Sequence, residues 1–253
     1  CIPNLFSQIP NEHVIYFGDT ARTPYGSKAV STIKHYANQI ADFLYTKDVK
    51  MMVIACNTIT ATCLYDLQKR FPDIPIVGII NPAAGKIART CDENNRIGVI
   101  ATKVTIASDD YNREIKKLNP NLHVFSKAAP AFVPLIEEGI IDNEIMDLTI
   151  KYYLDDFLSE NKIDTLVLGC THYPLLIEKI KAFLPEGITL FSQGEYVAAS
   201  LTDYLRRHPE MDIRLTKQGN CRFLTTESAA KFSDAASDRT AHPVEVEQIR
   251  LVE

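Results

Sequence analysis

Short β-prone runs alternate with helical stretches along most of the chain, and this alternation restricts the fold more than any other feature. Residues 13–17 read as a strand closed by Gly18 and Asp19. Across 28–44 the apolar positions Val30, Ile33, Ala37, Ile40, Phe43 and Leu44 recur at helical spacing, and 51–55 form a buried-strand run. A helix over 58–71, a strand over 74–80, a strand over 96–101, a helix over 108–118 and a strand over 122–126 continue the pattern. After a loop at 128–139 comes an amphipathic helix over 143–158, marked by Ile145, Leu148, Tyr152 and Leu154. A strand over 165–168, a helix to about 184 and a strand over 188–191 complete the series. The expected class is α/β, with mostly parallel sheets covered by helices on both faces.

An internal repeat sharpens this reading. Met51-Met-Val-Ile-Ala-Cys56-Asn-Thr58, with its helix ending at Phe71-Pro72, is echoed by Thr165-Leu-Val-Leu-Gly-Cys170-Thr-His172, with its helix ending at Leu184-Pro185. Two similar units facing each other would place both cysteines at the carboxyl ends of their strands, where open α/β sheets bind ligands. The expected site is the cleft between the units.

A thiol just ahead of a helix feels the positive end of the helix dipole and its unpaired N–H groups, which lower its pKa and make it a usable base. The plainer alternative is a buried cysteine acting as a small hydrophobe; Cys63 and Cys91 fit that description, and Cys221 lies in a strand-like run. Two thiols in repeated contexts suit proton chemistry. A racemase removes a proton from one face of a carbon and delivers one to the other, so two opposed acid/base groups are its minimum apparatus. Asn57, Thr58 and Thr171, with helix-start amides, could hold the carboxylate of a carbanionic intermediate, and His172 could tune Cys170 or shuttle its proton.

Composition excludes several other classes. In 253 residues, 46% are hydrophobic and 23% charged, as in a folded globular chain. The net charge of -5 and pI near 5.7, without any basic run interleaved with aromatics, argue against nucleic acid as a partner. No stretch approaches the roughly 20 apolar residues of a membrane span, and the first residues do not resemble a signal peptide, so the expected address is the cytosol. Six cysteines in a chain of this kind are expected to be free thiols. There is no CxxC pair and no Cys/His cluster at zinc spacing, so no metal is expected.

Four blocks make the sequence resemble the glutamate racemases: Gly18-Asp-Thr-Ala-Arg-Thr-Pro-Tyr-Gly26, Ala55-Cys-Asn-Thr58, Phe132-Val-Pro-Leu-Ile-Glu-Glu-Gly139 and Leu168-Gly-Cys-Thr-His-Tyr-Pro-Leu175. The similarity extends to Val244-Glu-Val-Glu-Gln-Ile-Arg250. It implies two pseudo-twofold-related α/β domains around a cleft, the first formed by 1–80 with 195–253 and the second by 81–194. It also implies interconversion of L- and D-glutamate without pyridoxal phosphate or metal, supplying D-glutamate for peptidoglycan, and allows a homodimer. Matched by motif, Cys56 would act on the proton of the D-enantiomer and Cys170 on that of the L-enantiomer. Glu137 and His172 match auxiliary acid/base positions, while Pro24, Tyr25, Gly26, Asn57, Thr58, Thr102, Thr105 and Thr171 match substrate-contacting ones. Taken without the resemblance, Glu137 reads as a solvated loop carboxylate and Pro24-Tyr25-Gly26 as a plain turn.

The resemblance has two departures. Its members open with a strand and an Asp-Ser-Gly loop that this sequence lacks, and residues 235–243 read as a shortened, more polar last helix and linker. The missing strand should lie centrally in the first sheet and its Asp should assist Cys56, so the chain as given is expected to be inactive, and an upstream strand with that loop to restore it. Three alternatives remain: an aspartate or other amino-acid racemase, whose second motif tends to carry Glu where this chain has His172; a truncated protein that binds without turnover; and, more remotely, a cysteine hydrolase.

Overall fold

The computed structural model describes residues 7–217, 219–230, 232–233 and 245–251. Its elements run β1 (Val14–Gly18), α1 (Val30–Tyr45), β2 (Met52–Ile54), α2 (Asn57–Arg70), β3 (Ile76–Gly78) and α3 (Ile80–Thr90). They continue as β4 (Arg96–Ala101), α4 (Lys103–Ala107), α5 (Asp110–Leu118), β5 (His123–Ala128), α6 (Phe132–Glu137), α7 (Glu144–Asn161), β6 (Thr165–Leu168), α8 (Ile177–Phe183) and β7 (Thr189–Ser192). The chain then returns through α9 (Gly194–Arg207) and the short α10 (Pro209–Asp212) to β8 (Cys221–Thr225) and β9 (Val246–Gln248). Every pairing among these strands is parallel, the arrangement that crossover helices produce. The α/β class read from the sequence is the observed one.

One sheet has the order β5-β4-β6-β7. Its inner strands are apolar on both faces: Ile97, Val99, Ile100 and Ala101 of β4 and Leu166, Val167 and Leu168 of β6 have no exposed surface. Such runs belong to strands covered by helices on both sides. Register sets Ile97 beside Thr165 and Ile100 beside Leu168, so β4 and β6 end together. On one face Met146, Ile150, Leu154 and Phe157 of α7 close the core, and on the other Ala83, Ala84 and Ile87 of α3 pack with Tyr111 and Ile115 of α5.

The other unit is divided. Among the described residues β1 pairs with β8 and β8 with β9, while β2 pairs with β3 alone. Between the unpaired edges of β1 and β2 lies a cavity of about 650 Å³ that all residues of both strands line. One helix wall is Ala37, Ile40, Ala41 and Leu44 of α1, and another is Val197, Ala198, Leu201 and Leu205 of α9. Val14 to Phe17 are consequently only half-buried, unlike β4 and β6. This slot offers open backbone edges at its sides and apolar side chains from two helices, the surroundings of an interior parallel strand.

Several local expectations need correction. The strand expected over 74–80 is shorter, and α3 follows it at once. Pro82 occupies the first turn of α3, where no N–H is needed. Pro134 does the same in α6, a helix inside the expected loop 128–139. The helix expected over 108–118 begins one element earlier as α4, and the one after Cys170 opens as a 3-10 turn at Tyr173–Leu176. In α7 the marker residues Ile145, Leu148 and Tyr152 are exposed by 54%, 67% and 78%, and the buried face is carried by Met146, Ile150, Tyr153 and Leu154. The shortened helix and linker expected over 235–243 lie outside the described residues.

An apolar strand added ahead of Cys1, long enough to enter the slot, is expected to raise the melting temperature by roughly 5 °C or more, because each kcal/mol gained is about 2–4 °C at this chain length. Thermal unfolding followed by circular dichroism reads this directly. An unchanged midpoint would mean that the slot does not accept a strand.

Candidate active site

Both repeated cysteines stand where a strand gives way to a helix or turn. Cys56 is the residue before α2, with extended backbone angles, and the backbone N–H groups of Thr58 and Ile59 point at its sulfur. Cys170 follows β6 after Gly169, and the N–H groups of His172 and Tyr173 point at its sulfur. Gly169 is required there: a Cβ would lie 2.9 Å from the carbonyl oxygen of Ile100 and 3.2 Å from the ring of Tyr111. Cys170 is buried and Cys56 half-buried, and both are free thiols.

The sign of the thiol shifts is opposite to the one expected from the helix dipole. Burial pushes the Cys56 thiol up, with the amides of Ile59 and Thr58 and the Thr58 hydroxyl acting against it. Burial likewise pushes Cys170 up to about 12, against the His172 and Tyr173 amides, and negative charge on Cys56 adds to the rise. Desolvation of the charged form outweighs two N–H dipoles at each site. A cation entering the cleft would reverse the balance, since opposite charge favours the thiolate.

The auxiliary residues meet at Cys170. His172 Nδ1 is 3.9 Å from Cys170 Sγ, and its Nε2 is 2.5 Å from Glu137 Oε1. Three rings hold this relay: Phe132 packs edge-on against Tyr153 and Tyr173, both at 5.2 Å between centroids. The Tyr173 hydroxyl donates to the Ala129 carbonyl at 2.8 Å, and Tyr153 accepts the Ala131 N–H at 3.2 Å. Edge-to-face pairs contribute about 0.5–1.5 kcal/mol each beyond area burial. They fix the helix carrying Glu137 onto the loop carrying His172.

Three hydroxyls converge between the units. Thr58 Oγ1 is 3.0 Å from Thr102 Oγ1 and 3.4 Å from Thr105 Oγ1, and the latter two are 3.0 Å apart. All three residues are buried. The turn 24–26 lies against them: a Cβ on Gly26 would be 2.4 Å from Thr102 Cβ, so only glycine allows this approach. The Tyr25 hydroxyl donates to Asp19 Oδ2. Burial and the Asp19 carboxylate raise its pKa, and charge on Cys56 adds to this, placing Tyr25 beside that thiol. Tyr25, Cys56, Thr171 and His172 line the 650 Å³ cavity together with Asp19.

Asp19, directly after β1, is the buried carboxylate on the Cys56 side. It accepts from Arg22 Nε at 2.7 Å, from Tyr25 and from Thr226 Oγ1 at 2.8 Å. These bonds occupy both oxygens and make it an anchor for the turn. Tyr111 and Gln193 are two buried polar side chains that sequence reasoning missed, since their partners are distant in the chain. Among the described residues no three His, Cys, Asp or Glu side chains gather as metal ligands.

A family model described as Asp/Glu/Hydantoin racemase matches residues 4–211. The glutamate racemase of Geobacter metallireducens is 42% identical over 91% of this chain and 84% of its own length. That of Streptococcus gordonii is 38% identical over 99% and 93%. Among solved structures, the glutamate racemase of Francisella tularensis in complex with D-glutamate has a TM-score of 0.88 and 35% identity, covering 99% of this chain and 92% of that one. A glutamate racemase isoform from Bacillus anthracis has a TM-score of 0.90 and 33% identity, with the same coverages.

The raised thiol pKa values have a direct readout. In the ligand-free protein, iodoacetamide labelling of Cys170, followed by peptide mass spectrometry, is expected to rise about tenfold per pH unit up to pH 10 without a plateau, because only the thiolate reacts. A plateau near pH 7–8 would show that the amides, not burial, set the ionisation.

Proposed function

The chain belongs to the Asp/Glu/Hydantoin racemase family, and we propose that it is a glutamate racemase in which Cys56 and Cys170 move the α-proton across the substrate. The observation that carries the two-thiol reading is the matched pair of thiols, each at a strand end with two backbone amides aimed at its sulfur, while the enantiomer given to each follows the family resemblance. Those amides stabilise a thiolate when the substrate's α-ammonium supplies the opposing charge. From L-glutamate, the Cys170 thiolate takes the α-proton as the C–H bond breaks and an S–H bond forms. The Cys56 thiol then gives its proton to the opposite face and is left as the thiolate. The reverse direction exchanges the roles.

The remaining residues serve this transfer. His172 and Glu137 return the Cys170 proton to solvent or accept it from there. Thr58, Thr102 and Thr105 offer hydroxyl donors to a carboxylate of the substrate, and Asn57, Thr171 and the turn Pro24-Tyr25-Gly26 complete its surroundings. The parallel pairing of β1 with β8 supports a first domain of 1–80 with 195–253, leaving 81–194 as the second. No helix among the described residues is long and apolar enough to cross a membrane, and the reading extends to a cytosolic enzyme. It also extends to a homodimer, for which the exposed stripe Ile145, Leu148 and Tyr152 offers an apolar surface.

The open slot beside Cys56 favours a second reading, in which the chain as given binds glutamate but turns it over slowly. Binding by calorimetry and D-glutamate formation from L-glutamate, measured on this chain and on one carrying an added upstream strand and Asp-Ser-Gly loop, separate the two. Turnover only in the extended chain supports the second reading; equal turnover supports the first.

Enantiomers have equal free energy, so kcat/KM must match in the two directions for every variant, and racemisation alone cannot separate the thiols. Elimination of chloride from 3-chloroglutamate needs only one base and can separate them. Cys56→Ser and Cys170→Ser, in whichever form turns over, are each expected to lower racemisation by about 10²–10⁴-fold. Cys56→Ser should still eliminate from the L-substrate, and Cys170→Ser from the D-substrate. Elimination from both enantiomers at similar rates by either variant would overturn the assignment, and added chelator should leave all rates unchanged.

A further inference from the structure

One buried side chain touches both thiol loops without belonging to either. The ring of Tyr111, on α5, lies against Gly169, the residue before Cys170, with Cε2 3.2 Å from where a Cβ on that glycine would be. Its hydroxyl is 2.8 Å from Oδ1 of Asn57, the residue after Cys56. The same hydroxyl is 3.2 Å from Gln193 Oε1, and Gln193 Nε2 donates to the Leu168 carbonyl at 3.1 Å. Asn57, Tyr111 and Gln193 are exposed by only 2%, 3% and 1%. An unbroken chain of polar contacts thus runs from the end of β6 to the start of α2.

Donor counting gives the chain a direction. A phenol has one proton and here faces two amide groups. Gln193 is held with Oε1 toward the phenol by its own bond to Leu168, so the phenol donates to Gln193. With its Nδ2 turned to the phenol oxygen, the Asn57 amide donates to it, and the otherwise buried and unpartnered Nδ2 gains a partner in place of Oδ1. Burial holds the phenol far above its ordinary pKa, so it stays neutral and keeps both roles. A buried hydrogen-bonded network of this kind rigidifies its surroundings, whereas removing a member leaves its neighbour desolvated and unpaired, at a cost of about 1–3 kcal/mol.

We propose that Tyr111, oriented by Gln193, is a positioning residue that fixes the Cys56 and Cys170 loops relative to each other. The proposal rests on the two-thiol reading above. Proton transfer at opposite faces of one carbon requires both sulfurs at reacting distance together, and displacement of about 1 Å in such an arrangement can cost about 10²-fold in rate. Tyr111 reaches one loop through its ring and the other through its hydroxyl, so a single side chain sets the separation. Tyr111 and Gln193 are both almost fully buried, and the role asks for no contact with the substrate.

The test uses Tyr111→Phe, which keeps the ring, together with Gln193→Leu and the double variant, made in whichever form of the chain turns over. Each single variant is expected to lower kcat by about 10–100-fold with KM changed by less than about threefold, because positioning acts on the reacting geometry. The double variant should lose no more than about twofold beyond the worse single one, since residues acting as a unit are not additive. Iodoacetamide labelling of both Cys56 and Cys170 should also change by about threefold or more, as access and ionisation govern thiol reactivity. Gln193→Asn, one methylene shorter, serves if Gln193→Leu fails to fold. A kcat within twofold of the parent, losses that multiply in the double variant, or unaltered labelling at either thiol would overturn the proposal. Labelling needs no turnover, so it still tests the positioning role if Cys56→Ser or Cys170→Ser defeats the two-thiol reading.

Discussion

Nothing larger than hydrogen fits on the Cα of Gly169. The amide there donates to the Ile100 carbonyl at 2.8 Å, continuing the β4–β6 pairing by one residue, while Tyr111 closes over the same point. The chain has no room to carry a side chain until it clears the end of β4, and the next residue is Cys170. Close packing of β4, β6 and α5 therefore determines where the thiol emerges, and the loop inherits the rigidity of a fully buried sheet. The turn at 24–26 obeys a similar constraint, since Gly26 passes too near Thr102 for any Cβ. Both loops are placed by what cannot fit beside them.

The two sides of the cleft are built unequally. Around Cys170 an aromatic cluster, a histidine and a carboxylate form a supported relay, with the Tyr173 hydroxyl tied to backbone. Around Cys56 the buried carboxylate is Asp19, and its oxygens are committed to Arg22, Tyr25 and Thr226. The adjacent strand edges are open to the slot between β1 and β2. Proton management is thus concentrated at one thiol, while the other depends on its amides and on what enters the cavity.

Much of this was legible in the sequence. The Cys56 and Cys170 repeat fixes two strand ends, because a β-prone run, a small residue and a polar pair before a helix have few other geometries. The contact between Glu137 and His172 was not legible, since 35 residues separate them and no local pattern joins them; Glu137 was singled out only through the resemblance. Tyr111 left no trace: it occupies an apolar position of α5, and its hydrogen-bond partners are 54 and 82 residues away. The thiol shifts came out with the wrong sign for a related reason. A helix dipole can be read from adjacent residues, whereas desolvation depends on what the whole fold packs around the sulfur. The reversed face of α7 is a third case, in which Ile145, Leu148 and Tyr152 have helical spacing but the sheet lies on the other side.

The raised pKa of the cleft thiols bears on how such a site withstands oxidation. Peroxide attacks thiolates, and sensitive cysteines are typically acidic and accessible. Cys170 is neither, since burial holds it protonated. If the thiolate forms only when a bound cation stabilises it, the sulfur is most oxidisable at the moment when substrate fills the space an oxidant would need. The same desolvation that opposes ionisation in the empty cleft then protects the resting protein, and inactivation by peroxide becomes coupled to substrate supply.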